Sequence, residues 1–362
     1  MEESNFSTKI KHRFVFLVKF LFALLFNFLF FIIIKSIFDN FQNLKETTFI
    51  ISFWLLFMIA TSLGIILAYY LITKFIQPQN QPSSPNFKAI LTPFVINSAN
   101  IKDIIQYSLI LFFLIYIPID MIGYFIPKML EFSAASLLPN TYNNYLTYSL
   151  QLMIPIAMIV HFCVAFREEF LIRNYFLVIG QEELKPSTAY IFSAIYFGLA
   201  HFNYIFSSGS ANYSPFFPIY WGLSATVIGL TAGLVFIKKK MIWPLIFSHW
   251  GNNVVSSIAL RNHIEGIPYT QTVLQLYLPI LIISLLLVIF SFKKIKKGFK
   301  AAIDLLKGYK IENLSLPQKE IESKPNIKEN LTIPPPQESL SMFILSDIMI
   351  IALLWFLSLF LV

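Results

Sequence analysis

Charge is scarce in this chain. Asp, Glu, Lys and Arg make up 13% of its 362 residues, while 57% are hydrophobic and 17% aromatic, and the mean hydropathy is +0.69. A soluble domain carries about a quarter charged residues, and a disordered segment is poor in apolar ones, so both classes are excluded. Cysteine is scarcer still, with Cys163 alone. Neither an intrachain disulfide nor a cysteine-rich metal site can form, and a free thiol within an apolar span is expected. The chain also lacks a His-Glu-x-x-His sequence, a fixed-period repeat and an inverted duplication. The first absence removes the usual helical zinc motif. The other two count against a solenoid and against a carrier that relays protons through buried charges.

What the chain has is long apolar runs. About 20 residues cross a bilayer core, and nine stretches qualify, at about 14–34, 49–72, 104–127, 150–180, 188–206, 217–237, 241–260, 272–292 and 342–362. The fourth is overlong and the fifth short. The expected fold is an all-α polytopic transmembrane helical bundle of about nine spans. The first run follows a basic N-terminus but is too long for a signal peptide and has no small-residue cleavage site, so it reads as a span. Positive loops tend to stay cytoplasmic. With the N-terminus inside, the inner segments hold twenty Lys and Arg and the outer loops four, namely Lys35, Lys45, Lys128 and Arg261. A multi-pass protein of the cell membrane with a cytoplasmic N-terminus is expected. The net charge of +8 collects beside the spans and in the 293–310 run, which fits anionic lipid and not nucleic acid.

Along the chain, residues 1–76 read as a two-span N-terminal segment. Residues 77–103 read as a cytoplasmic Pro-rich loop, with four prolines between Gln77 and Pro93. A membrane core follows at 104–292, then a basic cytoplasmic linker at 293–341 ending in Pro334-Pro335-Pro336, and a C-terminal span at 342–362. The start of the linker is expected on the membrane surface. Polar residues inside spans concentrate between about Tyr145 and Leu260, a stretch that reads as the functional core.

Glu168, Glu169 and Arg173 lie within the fourth run. A charge near the bilayer centre costs at least about 2.5 to 3.5 kcal/mol, so such residues face a cavity, a partner or a pathway. At 1.5 Å per helical residue, Glu168, His201 and His249 lie roughly 18, 21 and 13 Å from the cytoplasmic ends of their spans, which lets them meet. Residues four apart share a helix face, which pairs Glu169 with Arg173 and His249 with Asn253. Glu168 is rotated by about 100° from Glu169, so one carboxylate can be clamped while the other points elsewhere. A carboxylate with an imidazole can activate water, and a second imidazole with an amide can stabilise an oxyanion. Those are the parts of a peptide hydrolase. Each has a plainer alternative: Glu169 with Arg173 as a structural ion pair, a lone histidine as a packing residue, and Asn253 as interhelical glue. Only their co-occurrence points to chemistry.

Glu168-Glu169-x-x-x-Arg173, Phe197-x-x-x-His201 and His249-x-x-x-Asn253 occur in the order and spacing of the CPBP intramembrane protease family, which includes the CAAX prenyl endopeptidases and bacterial Abi proteins. The resemblance covers about residues 145–260. It implies a helical bundle enclosing a cavity open to cytosol and membrane. It also implies cleavage of a peptide bond near the C-terminus of a membrane-associated peptide or lipidated protein. Carried over, Glu168 and His201 would activate the water and His249 with Asn253 would form the oxyanion site. Glu169 and Arg173 would support the architecture, and Phe197 would pack beside the site. The resemblance implies no cofactor; the alternative is zinc on Glu168, His201 and His249. A rhomboid-like Gly222-x-Ser224 with His249 as base is a further alternative. Ala225, Gly229 and Gly233 nevertheless make that helix read as a close-packing one. A nonenzymatic immunity or partner-binding membrane protein is the competing class. Asn27, Asp120 and Asp347 have no partner identifiable in the sequence.

Overall fold

The computed structural model describes residues 2–40, 45–76, 90–138, 141–184, 186–206 and 212–307. Helices joined by short turns make up these segments, with no strand among the described residues. Helices α1 (Glu2–Asp39) and α2 (Glu46–Ile76) pack along one another. A short turn at Thr92–Phe94 precedes α3 (Ile101–Leu111), which runs through a π-helical segment, Phe112–Tyr116, into α4 (Ile117–Phe125). The short α5 (Met129–Leu137) follows. Next, α6 (Leu150–Glu169) continues through a second π segment, Phe170–Phe176, into α7 (Leu177–Glu183). Then come α8 (Pro186–Phe202), α9 (Phe216–Lys239) and α10 (Trp243–Ile264). Finally α11 (Tyr269–Thr272) passes through a third π segment, Val273–Tyr277, into α12 (Leu278–Lys307).

Seven of these continuous helices are long and apolar enough to cross a membrane. They coincide with seven of the nine expected runs. The expected run at 241–260 is also a helix, the 22-residue α10, but it falls outside the apolar class. The reason is its cargo: Ser248, His249, Asn252, Asn253, Ser256 and Ser257. It can carry them because Ser248, His249, Asn252 and Ser257 are buried inside the bundle. The expected span at 342–362 lies outside the described residues, as do residues 77–89 at the start of the Pro-rich loop and residues 308–341 of the basic linker.

The overlong fourth run resolves into three joined pieces. Pro155 sits inside α6, where a proline removes one ladder bond, and the helix then widens into its π segment. A π turn holds an extra residue. Here all seven residues from Phe170 to Phe176 are buried, because neighbours surround the segment on every side. Phe20 of α1 meets Phe176 at 4.0 Å between ring centroids, and Phe16 meets Phe192 edge-on at 5.3 Å. At the same end, Glu183 holds Lys19 at 2.5 Å and His12 at 2.8 Å. The two N-terminal helices are thus packed into the core that surrounds the π segment.

Helices α8 and α9 approach closely enough to need glycine. A Cβ on Gly222 would lie 3.0 Å from the Gly198 carbonyl oxygen, and one on Gly229 would lie 3.1 Å from Ala194 Cα. A Cβ on Gly198 would collide with Thr226 Oγ1 and the Gly222 carbonyl. The small-residue stripe of α9 is therefore a helix-packing face. The end of the Pro-rich loop is stitched to the core through its carbonyls: Asn174 Nδ2 donates to Ile90 at 2.7 Å, Ile242 N to Pro93 at 3.1 Å and Trp243 Nε1 to Phe94 at 2.9 Å.

Candidate active site

Three elements supply the site. Glu168 and Glu169 close α6, where the following π segment starts; Phe197 and His201 lie on α8; His249 and Asn253 lie on α10. The proline-capped start of α10, with Pro244 in its first turn, is fixed to the 90–94 segment by the two bonds to Pro93 and Phe94. That anchors the helix about two turns before His249.

Glu169 and Arg173 are fully buried. Glu169 Oε2 faces Arg173 Nε at 3.5 Å, the expected i, i+4 pair, and Arg173 lays its guanidinium over the Phe197 ring at 4.2 Å. This is an ion pair and a cation–π contact, because none of the guanidinium nitrogens has a hydrogen-bond partner among the described residues. The other oxygen of Glu169 does something the sequence did not suggest. Oε1 accepts from His249 Nδ1 at 3.0 Å. A carboxylate at Nδ1 selects the tautomer with its proton there and sets the ring orientation. Tyr116, carried to the interior by the first π segment, stacks on the same imidazole at 5.7 Å and 25°.

The His249 ring so held points Nε2 at Glu168 Oε2, 3.8 Å away. That separation is too long for a direct hydrogen bond and is the kind of gap a small polar molecule bridges. The other oxygen of Glu168 lies 3.3 Å from Arg167 Nη2, and Arg167 in turn sits over the Phe57 ring of α2 at 4.7 Å. Arg167 is a site neighbour missed at the sequence level, although a cation next to two carboxylates inside a span was a readable signal. About a fifth of the Glu168 side chain is exposed, whereas Glu169 shows none. The two adjacent carboxylates therefore take different environments, as their rotation around the helix requires.

His201 Nδ1 donates to the Phe197 carbonyl at 2.9 Å, which leaves Nε2 as the free nitrogen. The Phe197 ring presents its edge contacts to both imidazoles, at 4.6 Å for His201 and 5.8 Å for His249. The structure thus brings Glu168, Glu169, Arg173, Phe197, His201 and His249 into one contiguous group. Trp221, at 6.4 Å from the His201 ring, is stacked on Tyr204 at 4.6 Å and forms an aromatic wall.

Asn253 stands one turn after His249 and is partly buried, and its side chain makes no hydrogen bond to a described residue. Its carbonyl accepts from Ser257 Oγ at 2.8 Å, and the same Oγ lies 2.5 Å from His161 Nε2. His161 also meets the Tyr145 hydroxyl at 2.9 Å. This second polar chain ties α10 to α6 below the site, and Trp250 Nε1 adds a bond to the Met158 carbonyl at 2.8 Å. Trp250 is therefore a tie between helices. Asp120 finds its partner in Tyr277, whose hydroxyl donates at 2.5 Å, while Asp347 lies outside the described residues. For zinc, the donor set is not assembled. No three His, Cys, Asp or Glu side chains are grouped as a metal ion needs among the described residues.

Residues 150–255 match the family described as type II CAAX prenyl endopeptidase Rce1-like. The matched stretch contains Glu168, Glu169, Arg173, Phe197, His201, His249 and Asn253 but not the flanking Phe57, Tyr116, Tyr145 and Ser257, and it agrees with the CPBP resemblance of the three motifs. It supports a CAAX-type intramembrane protease in general and leaves α1 to α5 and everything after Val255 outside. No curated protein and no solved structure matches the chain.

Proposed function

We propose that the protein is an intramembrane endopeptidase that hydrolyses a peptide bond near the C-terminus of a membrane-associated protein or peptide, using water activated by Glu168 and His201. The observation that carries this reading is the pair of differently placed carboxylates on His249. Glu169 fixes Nδ1, and Glu168 faces Nε2 across 3.8 Å. In the proposed reaction, Glu168 takes a proton from water as its oxygen attacks the scissile carbonyl. His201, with Nδ1 committed to the Phe197 carbonyl, offers Nε2 as the second acceptor for that water. The carbonyl oxygen becomes an oxyanion, which the Asn253 amide and His249 stabilise by hydrogen bonds. For His249 to donate from Nε2 while Nδ1 donates to Glu169, both nitrogens must be protonated. Collapse of the intermediate expels the amine, which leaves with the proton that Glu168 collected.

Arg173 and Phe197 keep this arrangement in register, the first by neutralising Glu169 and the second by separating the two imidazoles. The substrate reaches the group as a membrane-associated chain; a prenylated C-terminus is the substrate class that the matched family's description names. The test is purified full-length protein with quenched peptides, prenylated and not, assayed with and without chelator. Cleavage that persists in chelator and drops by about 10²- to 10³-fold in kcat for Asn253→Ala, the range for loss of one oxyanion donor, is expected. Cleavage abolished by chelator and restored by zinc would replace the water-activating carboxylate with a metal on Glu168, His201 and His249. Full activity in Asn253→Ala would remove that residue from the oxyanion site.

A further inference from the structure

A groove of about 300 Å3 runs between α3 and α12. Apolar side chains line it, among them Leu109, Leu114, Leu287 and Ile295, and its two polar lining residues, Lys102 and Gln106, sit together at one end. The two helices run in opposite directions, so Ile295 flanks the mouth with Lys102 while Leu287 and Leu114 lie deep. From Lys102 to Leu114 the groove follows twelve residues of helical chain, about 18 Å at 1.5 Å per residue. That is close to one leaflet of a hydrocarbon core about 30 Å thick.

Lys102 is the cation that lines the mouth. Asp103, the acidic neighbour of Lys102, is neutralised by Lys239, and Lys102 itself pairs with no described carboxylate. The membrane-crossing part of α12 ends at Phe290, yet the helix continues to Lys307. On this extension Lys293, Lys296, Lys297 and Lys300 are exposed. An apolar slot about one leaflet deep, with Lys102 at its opening and further lysines on the helix that flanks it, has the shape and charge order of a phospholipid standing in a membrane: acyl chain inside, phosphate at the rim. We propose that the α3–α12 groove is a binding site for an anionic phospholipid of the surrounding bilayer. One acyl chain lies along Leu109, Leu114 and Leu287, and the headgroup is held by Lys102 with the lysines after Ile295. A neutral phospholipid would fill the slot but leave the rim charge unanswered, so the selectivity resides in the lysines and the affinity in both. The site is separate from the carboxylate–imidazole group and stands whether or not peptide hydrolysis is confirmed.

The experiment is to purify full-length protein in detergent, equilibrate it with phosphatidylglycerol or phosphatidylcholine, wash, and count retained lipid per chain by mass spectrometry. Wild type should retain phosphatidylglycerol at least about ten-fold over phosphatidylcholine. Lys102→Gln and Lys296→Gln should each lower that preference by about five-fold, the value of one lysine near an anionic surface. Lys102→Arg should preserve it. Leu109→Trp, which fills the slot, should lower retention of both lipids, with thermal unfolding confirming that each variant is folded. Equal retention of the two lipids by wild type, an unchanged preference in folded Lys102→Gln, or undiminished retention in folded Leu109→Trp would each overturn the assignment.

Discussion

Glu169 serves two partners at once: one oxygen faces Arg173 and the other grips His249 Nδ1. Replacing it with Gln would leave the fully buried guanidinium without its counter-charge, and breaking a buried pair costs about 3 to 5 kcal/mol. Glu169→Gln should therefore lower the thermal midpoint in detergent markedly, whereas Glu168→Gln, at a partly exposed position, should shift it little. Half of this was legible beforehand. The i, i+4 spacing of Glu169 and Arg173 announces a pair on one helix face, but the contact with His249 joins residues 80 positions apart, and no periodicity encodes it. Asp120 was opaque for the same reason, since its partner Tyr277 is 157 positions away. Outside the spans, burial pushes the Lys240 amine down from 10.5 to about 8. Between those two values the unfolded chain holds a proton that the folded one has released, so stability rises with pH across that window. Below pH 8 both states are protonated and the dependence vanishes. Unfolding midpoints of wild type should climb relative to Lys240→Gln from pH 8 upward and run parallel to it below.

At the scale of elements, the glycine contact of α8 with α9 governs where His201 stands, because Gly198 precedes it by less than one turn and faces Gly222 and Thr226. Gly198→Ala would force the helices apart. Overpacking of this kind costs about 1 to 3 kcal/mol, and displacement of His201 should lower turnover as well, measured as a fall in kcat alongside the unfolding midpoint. The stripe itself was readable in the sequence as Ala225, Gly229 and Gly233, since small residues at helical spacing have one obvious use in a membrane. The π segments were not readable. Phe170–Phe176 and Phe112–Tyr116 lie in long runs whose apolar residues occupy all faces, so one additional residue in a turn leaves no mark on the pattern, although Arg173, Tyr116 and Asn174 on these segments are buried. The α10 helix gave the opposite signal: its many polar residues weaken it as an apolar run and mark it as the helix that brings chemistry into the bundle.

For the whole molecule, the matched stretch of residues 150–255 is embedded in helices that it does not include. Phe16 and Phe20 of α1 share a core with Phe170, Tyr175, Phe176 and Phe192, Phe57 of α2 lies under Arg167, and Tyr116 stacks on His249. A chain lacking residues 1–76 would expose that aromatic core and release the cation beside Glu168. It is expected to aggregate in detergent, or to elute folded with no measurable peptidase activity, as size-exclusion chromatography and the peptide assay would report. The central claim remains one carboxylate. It is tested most directly by measuring turnover of one cleaved peptide by wild type and by Glu168→Gln, with helicity and unfolding midpoint checked on the same samples. A folded Glu168→Gln protein is expected to lose at least about 10²- to 10⁴-fold of the rate, the contribution of a positioned general base. A folded variant that cleaves within a few-fold of wild type would contradict the account.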